Sequence, residues 1–169
     1  MKKIIIGCGI LFVLGAGFVF LMFYMISRPK FRDVSKEQPF SEIVKNKIRT
    51  KRKTLIVQYP GIPINENYVY HLEDGSSFGI DSDLEKLEEI AVDTEITIDK
   101  IELHTGRVSG TTSAYLFGKV YSEETQQEYA FQYSWGNYHS LQEDNPYWTF
   151  ELAFWQDEPL AKKYFIEVP

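Results

Sequence analysis

The chain contains an uninterrupted apolar segment of 23 residues, 4–26, in which no charged, amide or proline side chain occurs. Two lysines precede this segment and several basic residues follow it. As an α-helix rising about 1.5 Å per residue it would extend roughly 34 Å, which exceeds the roughly 30 Å hydrocarbon layer of a bilayer. The segment therefore predicts a single transmembrane helix, with the rest of the chain folding beside a membrane.

Two other interpretations of this segment remain open. Residues 15–17, Gly-Ala-Gly, are small enough to imitate the cleavage site of a signal peptide, whose apolar region is about 7 to 15 residues long. Residues 5–8, ending in Cys8, resemble a bacterial lipoprotein box, but few residues precede that box and the long apolar run follows it. Because the run continues well past both features, a retained signal anchor is the interpretation that we favour.

The charges beside the segment give conflicting indications about its orientation. Two lysines precede it and four basic residues follow it closely, and the rule that basic flanks stay cytoplasmic would keep the remainder inside. That rule weakens for long domains, and 143 residues follow the segment. A short basic N-terminal region also resembles the start of an export signal. We therefore expect a single-pass membrane protein whose domain lies outside the cytoplasm.

Charge divides the remainder into a basic juxtamembrane neck, residues 27–53, and an acidic domain, residues 54–169. The neck has ten basic and three acidic residues, whereas the domain has six basic and 21 acidic residues. Near anionic head groups each basic side chain contributes about 1 kcal/mol of attraction. The predicted lipid-surface contacts are Arg28, Lys30, Arg32 and Lys36. A solvated tether is the alternative interpretation of the neck, and the acidic domain argues against nucleic acid as a partner.

Composition indicates one folded domain after the anchor. Hydrophobic residues make up 44% of the chain and aromatic residues 15%, which is enough apolar material for a core. The only cysteine, Cys8, lies within the apolar segment, so a disulfide inside the domain is excluded. Because an oxidising compartment permits disulfides without requiring them, this does not decide the side of the membrane.

Alternating apolar residues predict mostly β-strands in the domain. Residues 94–104 alternate with a slip of one position at Asp99 and Lys100, which predicts a β-bulge. Ser82 and Glu85 have the spacing of a capping box and predict one short helix that runs to about residue 90. The other predicted elements are a helical turn at 39–44 and strands at 48–59, 68–72, 114–121, 128–135, 147–155 and 164–168.

Short strands separated by turn signals about every ten residues are typical of antiparallel β-domains. We therefore expect a mainly β fold, in which the transmembrane helix is followed by a small antiparallel β-barrel or sandwich of SH3-like or OB-like size, with one short helix. The predicted bulge favours a partly open barrel, because bulges bend and twist a sheet.

One predicted strand is apolar on both of its faces. In 114–121, Leu116 and Val120 form one face, while Tyr115, Phe117 and Tyr121 form the other. A sheet that is solvated on one side should be polar there, so something must cover this second face. Either the predicted short helix or the termini of the chain cover it, or a partner protein does, since exposed aromatic patches often mark interfaces. In the predicted strand 147–155, Tyr147 and Trp155 likewise lie opposite the core-facing set. The predicted partner-binding residues are therefore Tyr115, Phe117, Tyr121, Tyr147 and Trp155.

No catalytic, metal or cofactor signature is evident in the sequence. His71, His104 and His139 lie 33 and 35 residues apart, without the short spacing of zinc ligands. Residues 74–85 match a calcium loop at its first, sixth and twelfth positions, but an aromatic residue occupies a ligand position, so a plain turn is the favoured interpretation. We therefore predict no catalytic residue, no metal and no cofactor.

Three classes of function remain open. The favoured one is a non-catalytic, membrane-anchored β-domain that binds another protein at the cell envelope, as an accessory subunit or as an inhibitor or immunity-type factor whose acidic surface meets a basic partner. A small membrane-bound hydrolase that uses paired carboxylates is an alternative. The third is a structural subunit whose apolar segment packs among other transmembrane helices, although that segment has no Gly-x-x-x-Gly spacing.

Overall fold

The computed structural model describes residues 2–26, 30–74, 84–107, 109–140 and 145–169, and it describes side chains of the N-terminal helix only over 12–24. That helix, α1, comprises Lys2–Ile26. No helix within these described parts is long and apolar enough to cross a membrane. The predicted anchor at 4–26 extends beyond the described side chains, so it stays a prediction.

The domain is built around an eight-stranded mixed sheet. Its strands follow the order β1, β6, β7, β8, β4, β3, β5, and β2 also pairs with β6. The β4–β8 ladder is parallel, while the other ladders of this sheet are antiparallel. The strands are β1 (Lys30–Asp33), β2 (Lys47–Arg49), β3 (Thr54–Gln58), β4 (Tyr70–Glu73), β5 (Glu85–Ile90), β6 (Glu95–Thr105), β7 (Thr112–Ser122) and β8 (Gln127–Ser134).

A second, three-stranded antiparallel sheet joins the same hydrophobic core. Its strands follow the order β11 (Leu160–Tyr164), β10 (Tyr147–Phe150) and β9 (Asn137–His139), with β10 in the middle. Its Trp148 and Phe150 belong to one core cluster with Ile101 and Leu116 of the large sheet. Phe40, which lies outside both sheets, packs against the small one, and its ring meets the Phe150 ring edge-on at 5.4 Å between centroids.

Part of the basic neck contributes directly to this domain. Strands β1 and β2 both pair with β6, one near each end of that long strand. Between them lies a single 3₁₀ turn (Phe40–Glu42), where a helical turn is predicted. Val34, Phe40 and Ile43 are buried in the core cluster. Charged side chains of the neck therefore alternate with apolar ones that the domain needs.

Two features of the predicted fold are wrong. The large sheet is mixed rather than antiparallel, and in the described residues β5 at one edge forms no ladder with β1 or β2 at the other, so no closed barrel exists. The short helix predicted up to residue 90 is instead strand β5 over its described part, paired with β3. Leu87 and Ile90 have the spacing of one face of a helix. Five residues of β3 nevertheless pair with β5, and this strand pairing outweighs the local helical preference.

The predicted bulge in β6 is confirmed. The register against β7 shifts between Ile98 and Lys100, so that Ile96 and Ile98 before the bulge and Ile101 after it all face the core. Opposite Ile98 stands Gly118, where an added Cβ would lie 2.5 Å from the Thr97 carbonyl oxygen. Close backbone approach at the bulge therefore requires a residue without a side chain.

Candidate functional site

An acidic groove of about 660 Å³ lies at one end of the large sheet. The end of β5, the β5–β6 turn and the start of β6 form one wall, and the end of β7 with its following turn forms the other. Six carboxylates and one guanidinium line it. The lining residues are Arg49, residues 88–95 and residues 121–124.

Thr50 holds the turn between β5 and β6 in place. Its Oγ1 donates a hydrogen bond to the Ala91 carbonyl at 2.7 Å and accepts one from the Thr94 amide at 2.9 Å. Its carbonyl accepts from the amide of Asp93, which has the left-handed φ of 68°. Thr50 is almost fully buried, and its three hydrogen bonds hold the backbone of the turn that forms one wall of the groove.

Three of the six carboxylates in the groove have basic partners. Asp93 pairs with Arg49 at 3.1 Å, and Glu95 pairs with Lys47 at 2.6 Å. Glu89 pairs with Lys53 and Lys86, and the hydrogen bond from Lys53 lowers the pKa of the Glu89 carboxyl. The remaining three form no ion pair with any residue that the structure describes; they are Glu88, Glu123 and Glu124. The groove therefore retains uncompensated negative charge.

Glu88 differs from the other two because it is buried. The residue is 6% exposed and lies opposite Ile56, on the face of β5 that also carries the buried Ile90. Glu123 and Glu124, by contrast, are exposed in the β7–β8 turn. Glu88 thus places one carboxylate in the wall of the groove, behind the two at its rim.

The predicted partner-binding residues of β7 have three different environments. Tyr115, Phe117 and Tyr121 share the face predicted for them, and Ala130 of β8 lies on that face also. Phe117 is completely buried, Tyr115 is partly buried, and Tyr121 is 48% exposed at the acidic groove. Of these three, only Tyr121 offers a partner a large exposed surface, and whether any of them binds one stays a prediction.

The chain itself covers the face around Phe117. Residues 59–69, which connect β3 to β4, form this cover: the Tyr68 ring lies 5.1 Å from the Phe117 ring. The Tyr68 hydroxyl donates to Asp99 Oδ2 at 3.0 Å. Burial is the larger cause and this hydrogen bond the second of a rise in the pKa of Tyr68 to about 12. Among the described residues, this loop, which is poor in regular structure, provides the cover at Phe117 that was predicted for the short helix or the chain termini.

A buried polar contact fixes the same loop near its middle. Gln132 of β8, which is 1% exposed, accepts a hydrogen bond from the Ile64 amide at 3.2 Å and approaches His71 Nε2 at 2.6 Å. Burial lowers the pKa of His71 to about 4. A neutral imidazole with one acceptor nitrogen fits the Gln132 amide, so this histidine has a structural contact.

The other two predicted partner-binding residues lie elsewhere. Tyr147 of β10 is largely buried and stacks on His139 at 4.7 Å, with the Lys163 ammonium 4.0 Å from its ring centre. Trp155 packs on Trp135 at 4.9 Å. In the described part of the chain no ring contact joins either residue to the aromatic face of β7, so the structure does not bring the five together.

The predicted lipid-surface residues lie in the first strand of the domain and directly beside it in the sequence. Arg28 lies outside the described residues, whereas Lys30 and Lys36 are exposed. Arg32 pairs with Glu37 at 2.7 Å and donates to the Glu167 carbonyl, so it is partly engaged within the domain. Lipid contact by these side chains stays a prediction.

The three histidines occupy separate places in the fold. His104 Nε2 lies 3.0 Å from Glu102 Oε2, His139 Nε2 lies 2.9 Å from Thr149 Oγ1, and His71 contacts Gln132. No group of three or more potential metal ligands occurs among the described residues. Most of the calcium-loop match, at 75–83, lies outside them.

Comparison with known proteins adds no functional information to this geometry. No protein-family model, no curated protein and no solved structure matches the chain. Functional inference therefore depends on the acidic groove, which sequence analysis missed. The excess of acidic residues beyond position 53 was the available signal, but it does not reveal which of them converge.

Proposed function

We propose that this protein is a membrane-tethered, non-catalytic binding domain that recognises a basic partner protein at the cell envelope. The observation that carries the proposal is the acidic groove, in which six carboxylates face one guanidinium. Grooves lined by one sign of charge concentrate ligands of the opposite sign and speed their association. Lysine and arginine side chains of a partner are therefore the groups that fit it.

The exposed side chains of α1 support the tether. Phe12, Phe18, Phe20 and Phe23 are 61% to 78% exposed, on a helix whose described side chains are all exposed. An apolar surface of this extent in contact with water is unfavourable and marks a membrane or protein contact. Insertion in a bilayer accounts for that surface. We propose that the domain lies outside the cytoplasm, with the neck at the head groups.

A sandwich-like arrangement is the finer fold that we propose for the binding domain. The shared core cluster supports it, because Trp148 and Phe150 of the small sheet belong to the same cluster as Ile101 of the large sheet. Such packing holds the groove on rigid strands rather than on long loops, which favours selective binding.

Photo-crosslinking in intact cells tests the proposed function. A benzophenone amino acid is placed at Tyr121, which is 48% exposed in the groove, or at Ile62, which is 93% exposed in the β3–β4 loop. We expect a basic neighbour captured from position 121 and not from position 62, and we expect Glu123→Lys with Glu124→Lys to abolish its capture.

The matched control is Glu66→Lys, which reverses one exposed charge outside the groove. Capture that survives the double reversal would contradict the proposal. Capture that is lost when α1 is replaced by an unrelated apolar helix, but not on charge reversal, would instead favour the structural-subunit alternative.

A further inference from the structure

One carboxylate that lines the acidic groove belongs to a buried residue and has no hydrogen-bond partner among the described residues. Glu88 is 6% exposed, yet no hydrogen bond or ion pair joins its side chain to a described residue. The only sealed side-chain polar atom without a partner in the described structure is Thr54 Oγ1. Each Glu88 carboxylate oxygen therefore retains a small opening, and the surface that Glu88 lines is the groove.

Glu88 is mostly buried, and its carboxylate lacks the hydrogen bonds or the paired charge that normally accompany a buried acidic side chain. The basic groups nearest in sequence and pairing are already engaged: Arg49 with Asp93, and both Lys53 and Lys86 with Glu89. No basic side chain among the described residues pairs with Glu88, and a cation from outside the chain would supply the counter-charge.

Resting on the proposed function, we propose that Glu88 is the specificity residue of the groove and receives a lysine ε-ammonium from the basic partner. A lysine presents a compact charge on a slender four-carbon stem, which suits a narrow opening. A guanidinium is a wide planar fork that needs room for two parallel hydrogen bonds, which a residue 6% exposed does not offer.

The neighbouring groups favour the same occupant. Glu123 and Glu124 at the rim attract a cation without binding it in one geometry, because both are exposed and solvated.

Binding of a fluorescent oligolysine peptide to the full-length protein in neutral detergent micelles tests the assignment. We expect Glu88→Gln to raise the dissociation constant about tenfold or more, because it removes a charged hydrogen-bond acceptor at a buried position. Glu124→Gln, the matched rim control, should raise it at most about fivefold. At high salt the rim effect should disappear while the Glu88 effect persists.

A length-matched oligoarginine peptide provides the specificity control, and we expect its affinity to change less in Glu88→Gln than that of oligolysine. Glu88→Met, which keeps a similar length without a polar group, guards against a folding artefact, and thermal unfolding must show both variants folded.

Equal effects at Glu88 and Glu124, or equal loss for both peptides, would overturn the lysine assignment and leave the groove as a general cationic surface. If no groove variant changes oligolysine affinity, the proposed function fails as well. Competition by calcium that requires Glu88 would assign this carboxylate to a metal instead and overturn the inference.

Discussion

Replacement of Phe117 by alanine distinguishes a self-covered sheet face from one that waits for a partner. The Phe117 side chain is completely buried, with the Tyr68 ring 5.1 Å away and the Lys100 ammonium 5.0 Å from its ring centre. Buried Phe→Ala substitutions cost about 3 to 5 kcal/mol. We expect about 3 kcal/mol here, because the covering loop at 59–69 can partly collapse into the space.

The assay is urea or thermal unfolding of the full-length protein in neutral detergent, followed by near-ultraviolet circular dichroism. For a domain of this size, about 3 kcal/mol corresponds to a decrease in Tm of roughly 10 °C. Tyr121→Ala is the matched control on the same face of β7. Because Tyr121 is 48% exposed, its loss should cost only about 0.5 kcal/mol.

The loop provides a second readout. In Phe117→Ala the 59–69 segment should be cut faster by protease than in the wild-type protein, since it loses the ring against which Tyr68 packs. A stability change below about 1 kcal/mol, with unchanged cleavage of the loop, would refute this reasoning. The aromatic face of β7 would then be open to a partner rather than part of the folded domain.

Three further changes test other parts of the structure. Burial lowers the pKa of His71 from 6.5 to about 4, so the unfolded chain takes up a proton first as pH falls. The free energy of unfolding should therefore decrease by about 2 to 3 kcal/mol between pH 6.5 and 4, and urea unfolding of His71→Gln should show less of this decrease. Gly118→Ala should destabilise the domain by about 1 to 3 kcal/mol in thermal unfolding, because the added Cβ would clash with the Thr97 carbonyl oxygen. An unchanged Tm would contradict the close backbone approach at the bulge. Glu88→Gln should maintain or raise Tm, since it removes an unpaired buried charge, and a large decrease would show that the carboxylate has an internal partner.

Much of the strand pattern could be predicted because it depends on neighbouring residues. The slip between Ile98 and Ile101 is visible as a change in alternation, and it is the bulge of β6. The failures concern partners that are distant in sequence. Residues 85–90 read locally as a helix, and only pairing with β3 makes them a strand.

The site shows the same division between local and long-range information. The apolar face of β7 predicts exposed binding residues at both Tyr121 and Phe117, but only Tyr121 is exposed and Phe117 is buried. Phe117 is buried because a loop about 50 residues earlier in the chain covers it, and the alternation of residues within β7 contains no information about that loop. Glu88 has no distinguishing sequence signal among 21 acidic residues of the acidic domain.

The amino-acid sequence alone determined the apolar segment, the acidic balance of the domain and the period-two alternation of its strands, because hydropathy, charge and pleat are properties of adjacent residues. The tertiary structure decided which strands pair, which aromatic face is covered and which carboxylates converge, since each depends on residues tens of positions apart. Burial of Glu88 without a counter-charge arises only from that long-range packing, and the proposed lysine recognition follows from it.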